Sequence, residues 1–109
     1  MKTGDIVLLP FPFTDFRTRK VRPAVVVGVT KDKYKDVIVS AISSVLPDKL
    51  TANEILLSAN VVNNLRTHSI IKVDRLVTMK QEDIILTLGK LSPKELKLFK
   101  KTFKMLVDG

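Results

Sequence analysis

Four basic side chains sit in one short segment. Of the six residues from 17 to 22, Arg17, Arg19, Lys20 and Arg22 are basic and none is acidic, and Pro23 follows at once. A turn joining two buried strands needs only Gly, Asn, Asp or Pro to reverse the chain. Three of the four cations are Arg, whose planar fork matches phosphate oxygens in a way that a merely solubilising residue need not. Further along, "VIVSAISSV", residues 37 to 45, carries the hydroxyls of Ser43 and Ser44. A guanidinium beside a hydroxyl suits a phosphodiester: the cation neutralises the phosphate and the hydroxyl donates to a non-bridging oxygen. The simpler alternative for the same residues is phosphate binding without chemistry.

The elements needed to bring these groups together can be read from the pattern. Proline biases the residue before it toward an extended backbone, so Arg22 is held at the mouth of the strand that Pro23 opens. "PAVVVGV", residues 23 to 29, is β-branched and uncharged, as a strand buried on both faces should be. Lys31 to Asp36 reads as a turn, and the strand over 37 to 45 is then the antiparallel neighbour of the first. That pairing sets Arg22 near Ser43 or Ser44.

The remaining segments complete a small β fold. "IVLLPFPF" is β-rich, but Pro10 and Pro12 place its far half at an edge or bulge, where ladder donors are not needed. "PDKLTAN" reads as a loop, "EILLS" as a short strand, and "ANVVNNL" as a loop or weak helix. "SIIKVDRLV", residues 69 to 77, is another strand, with Lys72 and Arg75 outward or lining a groove. A turn at Gln81 to Asp83 and a further strand follow. Ser92, Pro93 and Glu95 make an N-cap, a proline at the first helical position and the acid of a capping box. Leu96, Phe99, Phe103 and Leu106 recur at helical spacing, so one stripe packs on the sheet and the lysines meet water. Short strands in series with one amphipathic C-terminal helix indicate a mainly β (α+β) fold, a small curled sheet or barrel with a helical lid.

Composition narrows the function classes. The chain has 109 residues, room for one domain over 1–109, and 45% of them are hydrophobic, enough for a modest core. No Cys and a single His exclude thiol catalysis and a zinc cluster, so no metal or other cofactor is expected. No apolar run approaches the roughly 18 residues of a membrane span and the N-terminus carries no cleavable signal, which points to a cytoplasmic protein without membrane contact. The net charge of +8, from 19 basic and 11 acidic residues, favours a polyanionic partner. The C-terminal Lys94, Lys97, Lys100, Lys101 and Lys104 are read instead as the solvated face of the helix.

"GDIVLLPFPFTD", "RPAVVV", "VSAISS", "THSIIKVDRLVTM" and "LGKLS", in that order, resemble the MazF/PemK toxins of bacterial toxin–antitoxin modules from Gly4 to about Leu106. The resemblance implies an SH3-like barrel, a homodimer, and a metal-independent endoribonuclease that cuts single-stranded RNA to a 2′,3′-cyclic phosphate and a 5′-hydroxyl. It also implies a cognate antitoxin whose tail occupies the RNA groove. The family's catalytic arginine falls on Arg22 and its catalytic threonine on Ser43, which keeps the hydroxyl and loses the methyl that stiffens the rotamer. Arg17, Arg19, Lys20, Ser44 and Lys72 are then the RNA-binding residues. "TDFRTRKV" replaces the family's Gly-rich, Glu-containing loop, so the base pockets differ.

The other chemistry-bearing residues have structural readings. His68, the only imidazole, falls where the family pattern is variable; Asp5 starts a strand; Asp74 and Arg75 are structural; Thr14 and Asp15 begin a turn. Phe11 and Phe13 belong to the core or a dimer contact. Two competing functions fit the same fold. A toxin directed at a protein such as DNA gyrase would rely on a C-terminal Trp, and this chain has none. A non-catalytic RNA-binding module would keep the basic segment and tolerate loss of Arg22 and Ser43.

Overall fold

The computed structural model describes residues 1–12 and 19–109. Six strands, β1 (Asp5–Pro12), β2 (Arg19–Val29), β3 (Val37–Ser43), β4 (Glu54–Leu57), β5 (Ser69–Met79) and β6 (Leu86–Lys90), precede one helix, α1 (Pro93–Asp108). The strands form one sheet in the order β4-β5-β3-β2-β1-β6, antiparallel throughout. The sheet is curled into a half-barrel with α1 against it, the form taken by the barrel and terminal helix expected from sequence. No helix among the described residues is long and apolar enough to cross a membrane.

Two clusters of buried side chains lie on opposite faces of the central strands. Val25, Ile42, Ile71 and Val73 pack with Phe99 of α1 on one side. On the other, Val7, Leu9, Val26, Val37 and Val39 form a second cluster closed by Met79. Alternation along β2 explains the split: Val25 enters the first cluster, while Ala24 and Val26 enter the second. Three consecutive residues are thereby fully buried, as the uncharged β-branched run requires.

β5 serves both clusters because it bends. Its pairing with β3 jumps from Ser40–Leu76 to Ala41–Lys72, a bulge that leaves Val73, Asp74 and Arg75 out of register. Such a bend strands backbone groups that the ladder would have used. Here the fully buried Ser40 hydroxyl donates to the Val73 carbonyl at 3.0 Å, and the Val73 amide donates to the Asn53 carbonyl at 3.0 Å. The serine that interrupts the hydrophobic run of β3 is thus the partner that the corner needs.

The ends of the chain follow their local chemistry. Ser92 Oγ accepts from the Glu95 amide at 3.2 Å and Glu95 Oε1 accepts from the Ser92 amide at 2.8 Å, so the capping box is complete. Phe99 and Thr102 are the buried residues of α1, and its five lysines are exposed. β6 pairs with Asp5 to Leu8 only, so Pro10 and Pro12 fall in the half of β1 that has one neighbour. In the β2–β3 turn the Thr30 hydroxyl, then the amides of Lys35 and Tyr34, hold the Asp32 carboxyl below its usual range. That turn also takes Lys35 to φ 50.

Two expectations shift. Residues 19 to 22 are not loop but the first four residues of β2, paired with β1 from Pro12–Arg19 to Leu9–Arg22. They pair on one side only, so charged side chains there cost little and the hydrophobic pattern gives no sign of a strand. β3 ends at Ser43 rather than residue 45, because Ser43 Oγ accepts from the Val45 amide at 3.1 Å and turns the chain out of the sheet.

Removing the Ser40 hydroxyl leaves the Val73 carbonyl without its donor. Ser40→Ala is therefore expected to cost about 1–3 kcal/mol, read as a lower denaturant midpoint at unchanged slope. A midpoint equal to wild type would show that the corner does not depend on this bond.

Candidate functional site

The site begins where β2 and β3 part. Pro23 brings no amide hydrogen. The ladder from β2 to β1 runs on past it to Arg19, whereas the ladder to β3 ends at Ala24–Ala41. Continued by two residues, that register would set Arg22 against Ser43. The strands instead diverge, and a groove of about 740 Å³ opens at this end of the sheet.

One wall of the groove is Val21, Arg22 and Pro23 of β2, with Ser44 beyond the end of β3. The floor is apolar, made by Leu8, Ile42, Leu86 and Leu88, and Ile42 also belongs to the core beneath α1. The groove is therefore the uncovered end of that core. Among the described residues no carboxylate lines it, so nothing in that part of the lining offsets its positive charge. Arg22 donates from Nη1 to the Val21 carbonyl at 3.1 Å, its one bond among the described residues. That bond uses one of the five donors of the guanidinium.

The opposite wall is the segment from Asn64 to Thr67, while Ser69 of β5, one step beyond the Ser43–Ile70 pair, lies on the side of Ser44. Its shape comes from asparagines. Fully buried Asn63 donates from Nδ2 to the Ser58 carbonyl at 2.8 Å, and its Oδ1 accepts from the amides of Asn60 and Leu65, both at 3.0 Å. Asn60 Oδ1 in turn accepts from the Val62 and Asn63 amides, each at 2.9 Å. Asn64 sits at φ 55, in the left-handed region that Asn tolerates, and its Nδ2 donates to the Leu88 carbonyl at 2.6 Å. Gly89 lets this loop lie flat on β6: a Cβ there would run into the Val62 carbonyl oxygen and stand 2.9 Å from the Asn63 carbonyl carbon.

The expected site residues divide. Arg22 and Ser44 line the groove together. Ser43 is the half-buried last residue of β3, with its Oγ engaged by the Val45 amide. Lys20 stands opposite Phe11 and Arg19 opposite Pro12 near the start of β2, further along the same strand. Lys72 is between Ala41 and Glu54 in the sheet and is not part of the groove lining. Arg17, Phe13, Thr14 and Asp15 lie outside the described residues. Sequence reading missed Arg66, Thr67, Asn64 and Ser69; the signal was present in "NVVNN", whose amide side chains can build a loop that holds the "RT" behind it.

His68, Asp5 and Asp74 have structural partners. His68 Nδ1 accepts from the Ala59 amide at 3.1 Å, Asp5 Oδ2 from the Lys2 amide at 2.9 Å, and Asp74 Oδ2 from Asn53 Nδ2 at 3.5 Å. Phe11 packs against the second cluster. Another cavity, of about 430 Å³, separates α1 from Thr3 and Val27 and is lined by Phe99, Phe103 and Val107 with Lys100 and Lys104 at its side. Among the described residues its lining lacks the arginines of the groove at the β2–β3 end.

Comparison with known proteins shows the family and the fold. A family model described as PemK-like, MazF-like toxin of type II toxin-antitoxin system matches residues 2–107. Among solved structures, the Mycobacterium tuberculosis toxin MazF-mt6 is similar with a TM-score of 0.70 at 19% identity, covering 95% of this chain and 96% of that one. An endoribonuclease in complex with its cognate antitoxin, from a mycobacterial species, gives a TM-score of 0.71 at 9% identity and covers 99% and 95%. At such identities the likeness is one of fold. No curated protein sequence matches the chain.

If Asn63 builds the second wall, Asn63→Ala should loosen it locally. Hydrogen exchange is expected to accelerate at the amides of Asn60 and Leu65, which lose their acceptor, while β2 and β3 keep their protection. Unchanged exchange at both amides would show that the loop is held by something else.

Proposed function

Since the chain belongs to the PemK-like, MazF-like toxin family of type II toxin–antitoxin systems, we propose that its groove binds single-stranded RNA and cleaves it without a metal ion. The observation that carries this reading is a groove with no carboxylate among its described lining residues, in which Arg22, aimed by Pro23, stands with Ser44 just beyond the end of β3. RNA supplies its own nucleophile. The 2′-hydroxyl attacks the adjacent phosphorus, the bond to the 5′-oxygen breaks, and the products are a 2′,3′-cyclic phosphate and a 5′-hydroxyl.

Charge on the phosphoryl oxygens rises as the bond forms, so preorganised donors favour the transition state over the ground state. Arg22 stabilises that charge by hydrogen bonds while it stays a cation; the proton released by the 2′-hydroxyl passes to solvent water, and a proton from water reaches the leaving 5′-oxygen. Ser43 gives a hydrogen bond to a non-bridging oxygen. Its Oγ already accepts the Val45 amide, which leaves the hydroxyl proton as the group it offers. Ser44, in the groove lining, holds the neighbouring sugar-phosphate. Lys20 and Arg19, on the approach along β2, attract the strand electrostatically, and the charges of Arg17 and Lys72 add to the same positive field. Bases reach the apolar floor beside Leu86 and Leu88.

The same chemistry describes the partner. A cognate antitoxin would neutralise this protein by laying an acidic, partly apolar tail in the groove, in competition with RNA. The active form is a homodimer located in the cytoplasm.

The test is cleavage of a long single-stranded RNA with EDTA present. Arg22→Ala and Ser43→Ala should each slow cleavage by about 10²- to 10³-fold, and Ser44→Ala should mainly raise KM. Equal rates for wild type and Arg22→Ala would overturn the catalytic assignment. A larger loss of kcat in Ser44→Ala than in Ser43→Ala would transfer the hydroxyl role to Ser44.

A further inference from the structure

Arg66 faces the groove from the wall opposite Arg22. It makes no hydrogen bond or ion pair among the described residues, and no carboxylate stands among the described residues that line the groove. A solubilising arginine needs only an exposed position, yet this one is pinned from both sides. The Leu65 amide before it is held by buried Asn63, and the Leu65 side chain packs against the core under α1. Beyond it, the Thr67 carbonyl accepts from the Ser69 hydroxyl at 3.0 Å, and the His68 ring takes the Ala59 amide. A charged group on so fixed a backbone is preorganised toward whatever enters the groove.

We propose that Arg66 is a second phosphate-binding residue, which holds a phosphate next to the scissile one and so fixes the register of the RNA strand against Arg22. The inference rests on the RNA-cleavage reading of the groove. Two guanidinium forks in one groove, with the aliphatic Leu8 and Leu88 in the same lining, suit the alternation of a single strand: phosphate, base, phosphate. The described part of the lining has no aromatic ring, so base stacking has no platform there. Binding then depends more heavily on the two cations. Arg66 acts through placement of the strand rather than on the reacting bond, since Arg22 and the serines stand on the other wall. It is a positioning residue.

This role separates KM from kcat. Arg66→Ala should raise KM for a short RNA about tenfold, the loss of one charge-assisted contact, and leave kcat unchanged. Binding of the same RNA carrying 2′-O-methyl groups, which cannot attack, isolates the electrostatic part. The plot of log K against log salt should be less steep for Arg66→Ala by about 0.7, one single-strand phosphate contact. Arg66→Lys, which keeps the charge, should restore the slope. A drop in kcat at unchanged KM, or an unchanged slope, would overturn the positioning role while cleavage by the wild type stood. Failure of the wild type to bind RNA would overturn the groove reading and this inference with it. Far-ultraviolet circular dichroism matching wild type confirms that the exposed substitution leaves the fold intact.

Discussion

The missing amide hydrogen of Pro23 is the constraint on which the site depends. A strand between two neighbours must give its donors to one or the other, and proline gives none. On the β1 side the ladder continues to Arg19, and on the β3 side it stops at Ala24. Parting of the strands there exposes Ile42 and Leu8 as a floor, and the steric demand of the proline ring keeps Arg22 extended at the edge. One residue therefore opens the groove and aims its principal cation. The same strand, three residues on, is buried on both faces, so the opening is anchored in the core.

The second wall is held differently. Leu65 packs against the core, the side chains of Asn60 and Asn63 satisfy backbone amides of the segment, and Asn64 ties it to the Leu88 carbonyl of β6. A typical bond of this kind contributes about 0.5–1.5 kcal/mol net, and breaking one leaves a buried partner unsatisfied, which costs more. Gly89 completes the fit by leaving space for the Val62 carbonyl. The groove is thus a rigid sheet end facing a loop built from polar bonds. That division suits a site in which reacting groups sit on the strands and the strand of RNA is gripped from the loop.

Much of this was legible in the sequence because it is local. The β-branched run after Pro23, the capping box of Ser92 and Glu95, and the turn expected at Gln81 to Asp83, which is a single turn of 3-10 helix, each depend on neighbours a few residues away. Arg22 was recognisable for the same reason, since its conformation is set by the next residue. What stayed hidden depends on distant pairings. The strand character of Arg19 to Arg22 comes from β1, not from any periodicity of its own. Ser40 looked like an interruption and is the donor to a carbonyl on β5. Arg66 drew no attention because the asparagines that hold it work through Ser58 and Leu88, contacts that no spacing rule anticipates. Lys72 had the right charge, but its place in the sheet is away from the groove lining.

The most direct measurement uses a single-stranded RNA and a copy with one 2′-deoxyribose on the 5′ side of the cut bond, both in EDTA, with fragment ends identified by mass spectrometry. Attack by the neighbouring 2′-hydroxyl predicts a 2′,3′-cyclic phosphate and a 5′-hydroxyl from the RNA, and no cut at the substituted position although the copy still binds. Cleavage at the deoxy position, or ends carrying a 5′-phosphate, would mean that water and not the RNA's own hydroxyl attacks. RNA left intact by the wild type would leave the groove as a binding surface without chemistry.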